Sequence, residues 1–261
     1  MDLIEFVSSQ ALRDHATAKY GKRASMGWSP GRRWDFGYSL AGDVYECFLD
    51  SIVSHRTRWV DVGGGRAILP HNDALSASLA ERCESLTSVD PSRNVFENPY
   101  AHEKICSMFE DFQVEKKFNL ATFRMVAEHV EAPDAVIKKL EECVEPGGLV
   151  VIYTINKHSP IPIITRLTPF SWHHKIKKIF WGGQEKDTFP VAYKMNSKQE
   201  LDSLFVDGGE FKPALFRYLD DVSATIEYNF LNLVEMYVWR FCQSLGLRYF
   251  ENNILAVYIR K

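Results

Sequence analysis

The sequence predicts an α/β domain built on a mostly parallel sheet, and three observations carry that prediction. The first is the stretch Arg58-Trp59-Val60-Asp61-Val62-Gly63-Gly64-Gly65-Arg66-Ala67. It reads as a buried strand that opens into a tight glycine turn before a helix. The second is residues 149–154, Leu-Val-Val-Ile-Tyr-Thr, a near-continuous apolar run such as a strand covered on both faces requires. The third is the alternation of strand-like runs with segments of helical period. In open sheets of this kind, ligands bind at the carboxyl ends of the strands.

Composition narrows the class. The chain of 261 residues fits one α/β domain with additions. A hydrophobic content of 46% supports a sizeable core, and a net charge of −3 argues against a broad nucleic-acid surface. Five cysteines (Cys47, Cys83, Cys106, Cys143 and Cys242) are scattered without C-x-x-C spacing, which reads as a reduced, cytoplasmic protein. The first residues include Asp2 and Glu5 around a short apolar run, unlike a signal peptide. No apolar stretch is long enough to span a bilayer.

In chain order, residues 2–20 place Leu3, Ile4, Val7, Ala11 and Leu12 at helical spacing. Residues 21–42, rich in Gly, Arg and aromatics, read as a lid or an ordered surface loop. Asp43 with Glu46 predicts a capping box at a helix start. After the glycine turn, Leu75 and Leu79 mark a sheet-covering helix. Residues 86–90 read as the second strand, ending in Asp90, which comes 25 residues after Gly65. Residues 105–112 give a short third strand and its loop, and residues 118–123 a fourth. Pro133 opens a helix with Val136, Ile137, Leu140 and Val144 on one face. Residues 221–246 read as a long helix apolar on more than one face, hence buried on two sides. It is a candidate for closing a pocket or for a homodimer contact.

The glycine turn limits the ligand. A dinucleotide fingerprint needs a third glycine where Ile68 stands. The pattern is acid-x-Gly-x-Gly-x-small, from Asp61 through Gly63 and Gly65 to Ala67. A carboxylate there repels a pyrophosphate and suits a cationic amino group, as in S-adenosylmethionine; a generic βα turn is the alternative. Asp90, a helix and a strand further on, suits the two hydroxyls of a ribose. It also reads as a loop aspartate before Pro91.

The succession Val-Asp-Val-Gly-Gly-Gly, Ser-Val-Asp-Pro, Phe-Asn-Leu…Glu-His-Val and Glu-Pro-Gly-Gly-Leu-Val-Val-Ile resembles class I S-adenosylmethionine-dependent methyltransferases, the branch with the polyprenyl-quinone enzymes above all. The resemblance covers roughly residues 44–156. It implies a Rossmann-like, seven-stranded sheet with an antiparallel last strand and helices on both faces, the last two strands falling at residues 215–219 and 254–260. It implies S-adenosylmethionine as cofactor, with Asp61, Gly63, Gly64 and Gly65 by the methionine end and Asp90 and Pro91 at the ribose. The adenine would meet the loop of Met108, Phe109 and Glu110, and Arg124 is a candidate for the methionine carboxylate or a plain surface arginine. Met108 and Asn119 stand where the family usually has aspartates.

Residues 157–196 interrupt the family core. Their prolines and aromatics suit an apolar substrate pocket, and lysines at 175, 177 and 178 beside Trp172, Phe180 and Trp181 suit peripheral membrane contact through residues 160–181. A packed cap that only shields the site is the bland alternative. His173 and His174 lack a third ligand at defined spacing, so no metal site is predicted. They and His129 are the candidate general bases. The expected activity is methyl transfer to an oxygen, nitrogen or carbon atom of a small molecule. The competing reading is a catalytically inactive methyltransferase-fold subunit, with Met108 and Asn119 in its favour.

Overall fold

The computed structural model describes residues 4, 6–21, 36–159, 191–221, 225, 228–247, 249–250 and 252–261. Residues 22–35 of the expected lid (residues 21–42) and residues 160–190 of the expected insertion (residues 157–196), with His173 and His174, lie outside them.

Seven strands form one sheet. β1 (Arg58–Val62) pairs in parallel with β2 (Ser85–Asp90) and with β4 (Phe118–Arg124). β3 (Glu103–Cys106) extends the sheet beyond β2, and β5 (Val144–Ile155) beyond β4, both in parallel. β7 (Asn253–Arg260) runs antiparallel between β5 and β6 (Phe211–Leu219). The spatial order is β3-β2-β1-β4-β5-β7-β6. The order reverses between β1 and β4, and this switch point opens a crevice at the carboxyl edge. The third strand occupies Glu103–Cys106, earlier than its expected span, so Met108 and Phe109 fall in the loop beyond it. β6 begins at Phe211, ahead of its expected start.

Strand alternation divides the core into two layers. Val60 and Val62 face one layer, with Val136, Ile137 and Leu140 of α4 (Pro133–Cys143) and Phe205 packed against them. Trp59 and Leu120 face the other, under α2 (Ala41–Ile52) and α3 (Asp73–Arg82). Pro133 occupies the first turn of α4, as expected. Asn72 caps α3, its side chain accepting from Leu75 N. The second layer therefore holds Asp61, two residues past Trp59 on the same face.

The expected capping box on α2 does not form. The helix starts earlier, at Ala41, without a side-chain cap, and Asp43 and Glu46 are both buried. Their carboxylates bind α1 (Ser9–Tyr20) instead. Lys19 Nζ donates to Asp43 Oδ1 at 3.0 Å and Glu46 Oε1 at 2.8 Å. Tyr20 OH donates to Asp43 at 2.8 Å, and His15 lies 3.1 Å from Glu46 Oε2. Asn72 Nδ2 donates to Glu46 at 2.7 Å and so ties the network to the cap of α3. Burial alone would raise the Glu46 pKa. The hydrogen bonds from His15, Lys19 and Asn72 outweigh it and bring it down to about 2.

α5 (Lys198–Asp202) runs into a π-helical turn before β6, and α6 (Asn229–Ser244) lies between β6 and β7. The expectation that this last helix is buried on two sides is not met. Asn232 and Met236 are buried, whereas Phe230, Tyr237 and Phe241 are more than three-fifths exposed. Its inner face packs on the short segment before α2 (Phe36 and Tyr38) rather than between two layers. Among the described residues, no helix is long and apolar enough to cross a membrane.

The Glu46 carboxylate is depressed in the folded state, so its contribution is present above the unfolded value and lost as pH falls. Glu46→Ala is expected to cost about 3 kcal/mol at pH 7 in urea unfolding, the gap to wild type closing as pH falls from about 4.5 toward about 2. A gap independent of pH would show that the carboxylate charge is not what holds α1.

Candidate active site

The site forms where β1, β2 and β4 end. Asp61 lies one residue inside the tip of β1, in register with Ser88 of β2 and Thr122 of β4. Thr122 Oγ1 accepts from the Trp59 indole at 2.7 Å and donates to Asp61 Oδ1 at 2.7 Å. Asp61 is 2% exposed. Burial raises its pKa to about 7, with Asp90 adding to the rise and the Thr122 bond and Arg124 opposing it.

The glycine turn is shaped for close approach. Gly63 has φ +69° and Gly65 φ +43°, left-handed values that glycine adopts without a side-chain clash. A Cβ on Gly63 would stand 2.3 Å from Val126 Cγ2, and one on Gly64 2.1 Å from Ser88 Oγ and 2.6 Å from Asp61 Oδ2. No larger residue fits either place. Gly65 N donates to Asp90 Oδ2 at 3.0 Å, and Ser92 N to Asp90 Oδ1 at 2.7 Å. Each carboxylate oxygen keeps acceptor capacity beyond these bonds. Thus β1 presents the turn, and the last residue of β2 presents the acid that fastens it.

Other residues named from the sequence sit as follows. Pro91 follows Asp90, with Cys106 Sγ 3.5 Å from its carbonyl. Met108 is exposed in the loop after β3, where Ser107 N donates to Asp90 O. Phe109 does not reach the crevice: its ring is buried in the core, stacked on Phe112 and edge-on to Phe123. Glu110 is half-buried in the turn that follows. Arg124 ends β4 beside Tyr153 of β5. Met125, just beyond, holds φ +54°, and its N–H donates to Tyr153 O at 2.7 Å. A non-glycine residue at positive φ costs on the order of 1–3 kcal/mol and collects at functional sites. His129 closes a short turn after β4, half-buried, its N–H donating to Val126 O. Asn119 lies at the opposite end of β4, where its side chain accepts from Arg58 N and donates to Arg56 O. That departure from the family pattern touches a strand root and not the site.

Sequence reasoning missed several residues that complete the place. Tyr45 of α2 is fully buried and stacks on Tyr153 at 5.0 Å. Burial, then the Asp61 carboxylate, push its phenol pKa up, so it stays a neutral hydroxyl. Glu128 is buried and accepts from Thr154 Oγ1 at 2.7 Å, while burial raises its pKa. Asn196 Nδ2 donates to Thr154 Oγ1 and to Ile155 O, and Lys157 N donates to Asn196 O. The chain therefore leaves and returns at the tip of β5. Only a polar residue inside an apolar strand, Thr122 or Ser88, gave a signal that the sequence offered.

Among the described residues, one group of metal-binding type brings its ligand atoms within 4.8 Å: His15, Asp43 and Glu46. The Lys19 ammonium already bridges its two carboxylates. The strand tips differ. Ser88 Oγ and Arg124 Nε are buried atoms without hydrogen-bond partners, a cost seldom left standing in a protein interior. Ser88 Oγ lies against Gly64 of the turn, where a Cβ would clash with it, and the turn runs between the carboxylates of Asp61 and Asp90. This donor and acceptor set fits an adenosyl amino acid: a diol for Asp90, a carboxylate for Arg124, a cation for Asp61.

A seven-stranded sheet of this order, with a reversed β7 and a glycine turn at its switch point, is the Rossmann-like class I methyltransferase fold. A family model described as a methyltransferase domain matches residues 17–205, and the chain belongs to that family. Among curated proteins, a ubiquinone biosynthesis O-methyltransferase of Coxiella burnetii is 24% identical over 162 residues, 58% of this chain and 66% of that protein. The match thus spans just under two thirds of that relative's length. Among solved structures, the [4+2]-cyclase SpnF superposes with a TM-score of 0.50 at 13% identity, over 83% of this chain and 82% of that one. The N-methyltransferase NodS of Bradyrhizobium japonicum bound to S-adenosylhomocysteine gives 0.48 at 12% identity, covering 97% of each chain.

Because the Asp61 pKa is raised by folding, its contribution is present below the unfolded value near 3.8 and lost as pH rises through about 7. Asp61→Asn keeps an acceptor for Thr122 without the charge. It is expected to be more stable than wild type at pH 8, by on the order of 3 kcal/mol, and near parity at pH 4. Thermal unfolding at both pH values checks this; equal stability at pH 8 would mean the carboxylate is not penalised by burial.

Proposed function

We propose that the chain is an S-adenosylmethionine-dependent methyltransferase that methylates an oxygen atom of a small, apolar acceptor in the cytoplasm. The observation that carries this reading is the glycine turn fastened by Asp90 over buried Ser88 Oγ, with Arg124 Nε also buried and unpartnered at the end of β4. Membership of the methyltransferase-domain family supports it. Oxygen as the acceptor atom, and an acceptor with a lipid-like tail, follow from the named activity of the Coxiella burnetii relative and from the apolar composition of residues 157–196. Peripheral membrane contact through residues 160–181 belongs to the same reading, since such an acceptor partitions into bilayers.

When bound, the cofactor supplies an electrophilic methyl group on a sulfonium. The protein's part is then to bind, orient and exclude water. Asp90 accepts from the ribose hydroxyls while Gly65 N holds its carboxylate in place. The turn lets backbone approach at Gly63 and Gly64, where a Cβ would clash, and at Gly65, whose positive φ favours glycine. Arg124 takes the amino-acid carboxylate by a charge-assisted bond. Asp61 sits beneath the turn for the ammonium. Orientation of this kind contributes roughly 7–11 kcal/mol. A base adds about 10²–10⁴-fold, and of the three candidate bases His129, in the short turn after β4, is the one among the described residues.

Isothermal calorimetry with S-adenosylhomocysteine tests the site. Asp90→Ala removes two hydrogen bonds to a charged acceptor, each worth about 1.5–3 kcal/mol, so affinity is expected to fall at least ~100-fold. Unchanged affinity would overturn the ribose assignment.

The same titration reads Asp61. An ammonium beside a carboxylate of pKa about 7 favours its ionised form, so binding at pH 6 releases a proton. The binding enthalpy is expected to vary with the ionisation enthalpy of the buffer at pH 6, and Asp61→Asn is expected to remove that variation. Buffer-independent enthalpies for the wild type would separate Asp61 from the ligand.

A further inference from the structure

Of the thirteen large apolar side chains exposed among the described residues, ten lie between Tyr228 and Phe250. Most belong to α6. Its inward face is already satisfied. Met236 is buried, Trp239 Nε1 donates to Asp220 Oδ2 at 2.6 Å, and Glu235 accepts from Tyr249 OH at 2.8 Å. The contact to the rest of the fold is a small cluster around Tyr38 and Met236, separate from both core layers. A helix that packs on its own domain turns its apolar stripe inward. Here the larger stripe points outward.

That stripe is regular. Leu231, Val234, Val238, Phe241 and Leu245 follow one another at intervals of three and four, and all five are exposed. This is the seam spacing by which two helices interlock side chains. Phe230 and Tyr237 widen it on one flank, 76% and 62% exposed. Aromatic side chains present 150–250 Å² each, so the patch is on the order of 700 Å². Monomers rarely expose a patch larger than about 300–600 Å², while a stable interface takes about 800 Å² from each partner.

We infer that α6 is the interface of a homodimer, with the seam of one chain packed antiparallel on the same seam of a second copy. Val238 lies nearest the twofold axis, and Leu231 meets Leu245 of the other copy. Charge favours this occupant. The helix holds two charged residues, Glu235 and Arg240. Glu235 is turned inward, and Arg240 lies over the Phe36 ring at 5.9 Å, off the seam. No like charges therefore oppose each other across a twofold axis. A membrane-surface helix instead carries lysines and arginines along its polar face, and this one has a single arginine. The inference stands apart from the methyl-transfer reading, because it rests on α6 alone.

Sedimentation equilibrium of the full chain over a hundredfold concentration range tests it. The 30.0 kDa chain is expected at twice its mass. Val238→Asp and Phe241→Asp each put a charge into the seam from an exposed position. Each is expected to weaken association at least a hundredfold, with far-UV dichroism unchanged and the urea midpoint equal to that of wild type diluted until it is monomeric. Val238→Cys is expected to give a dimer on non-reducing gels after oxidation that the wild type, with its native Cys242, does not. A wild type that is monomeric throughout, or a dimer indifferent to both aspartates, would overturn the inference. So would a monomer that co-sediments with phosphatidylcholine vesicles through this face, which would give the patch to a lipid surface.

Discussion

The Thr122 hydroxyl holds β1 and β4 in step at the one place where the sheet must open. It accepts from the Trp59 indole and donates to Asp61, all within the dry second layer. A threonine hydroxyl has one proton to give, so accepting from Trp59 directs it to Asp61. The Asp61 carboxyl is thereby fixed beneath Gly64 with its second oxygen facing the turn. Everything at the edge follows from that fixed oxygen. Gly64 has to be glycine because of it. Gly65 then stands where its N–H meets Asp90. The Asp90 carboxylate also accepts from Ser92, so the turn after β1 and the loop after β2 move as one piece.

Holding a buried carboxylate costs free energy, and the fold offsets that cost elsewhere. The pKa of Asp61 near 7 records the cost. One region of compensation is the junction of α1, α2 and α3, where four donors satisfy Asp43 and Glu46. The contrast between the two regions is instructive. Both bury two acids within one layer of the same domain. Around Glu46 every hydrogen-bonding need is met by the chain, and the pKa falls. Around Asp61 the described residues make one bond, two polar atoms nearby (Ser88 Oγ and Arg124 Nε) have no partner, and burial raises the pKa. The first arrangement satisfies its own charges, and the second leaves open groups of the kind the proposed cofactor site calls for.

The edge of the sheet was legible because its signals are local. Asp61, three glycines and Asp90 at the end of an apolar run specify a strand, a turn and a second strand whatever the rest of the chain does. The strands β1, β2, β4 and β5 are legible for the same reason, each holding a short apolar run between turn residues, whereas β3, Glu-Lys-Ile-Cys, has no such run and begins earlier than expected. What was not legible depends on partners distant in sequence. Asp43 and Glu46 have capping-box spacing, but Lys19 and Tyr20, more than twenty residues earlier, claim the carboxylate of Asp43. Phe109 sits beside the expected adenine loop, and only the packing of Phe112 and Phe123 shows that its ring turns inward. Tyr45 joins the site because α2 crosses β5, which no spacing in the sequence reveals. The apolar residues of α6 announced a helix, yet their periodicity is equally consistent with burial inside the domain or against another copy.

The departures from the family pattern bear on the inactive-subunit reading unequally. Asn119 bonds backbone groups at residues 56 and 58, at the amino end of the sheet. It lies five residue steps along the strand from Arg124, about 16 Å at 3.3 Å per residue, so an aspartate or asparagine there alters a strand root and leaves the crevice as it is. Met108 is at the crevice edge, but an adenine ring can be held by apolar contact and by backbone groups as well as by an acid. A cofactor site rests on the groups that hold its charged and hydroxylated ends, and the proposed reading gives those parts to Asp90 at the rim, Arg124 at the end of β4 and Asp61 below the turn. The strain at Met125, held by its bond to Tyr153, keeps the start of the His129 loop against Gly63 through Val126. A chain that had lost its ligand would have no reason to keep that costly backbone conformation against a turn too tight for any side chain.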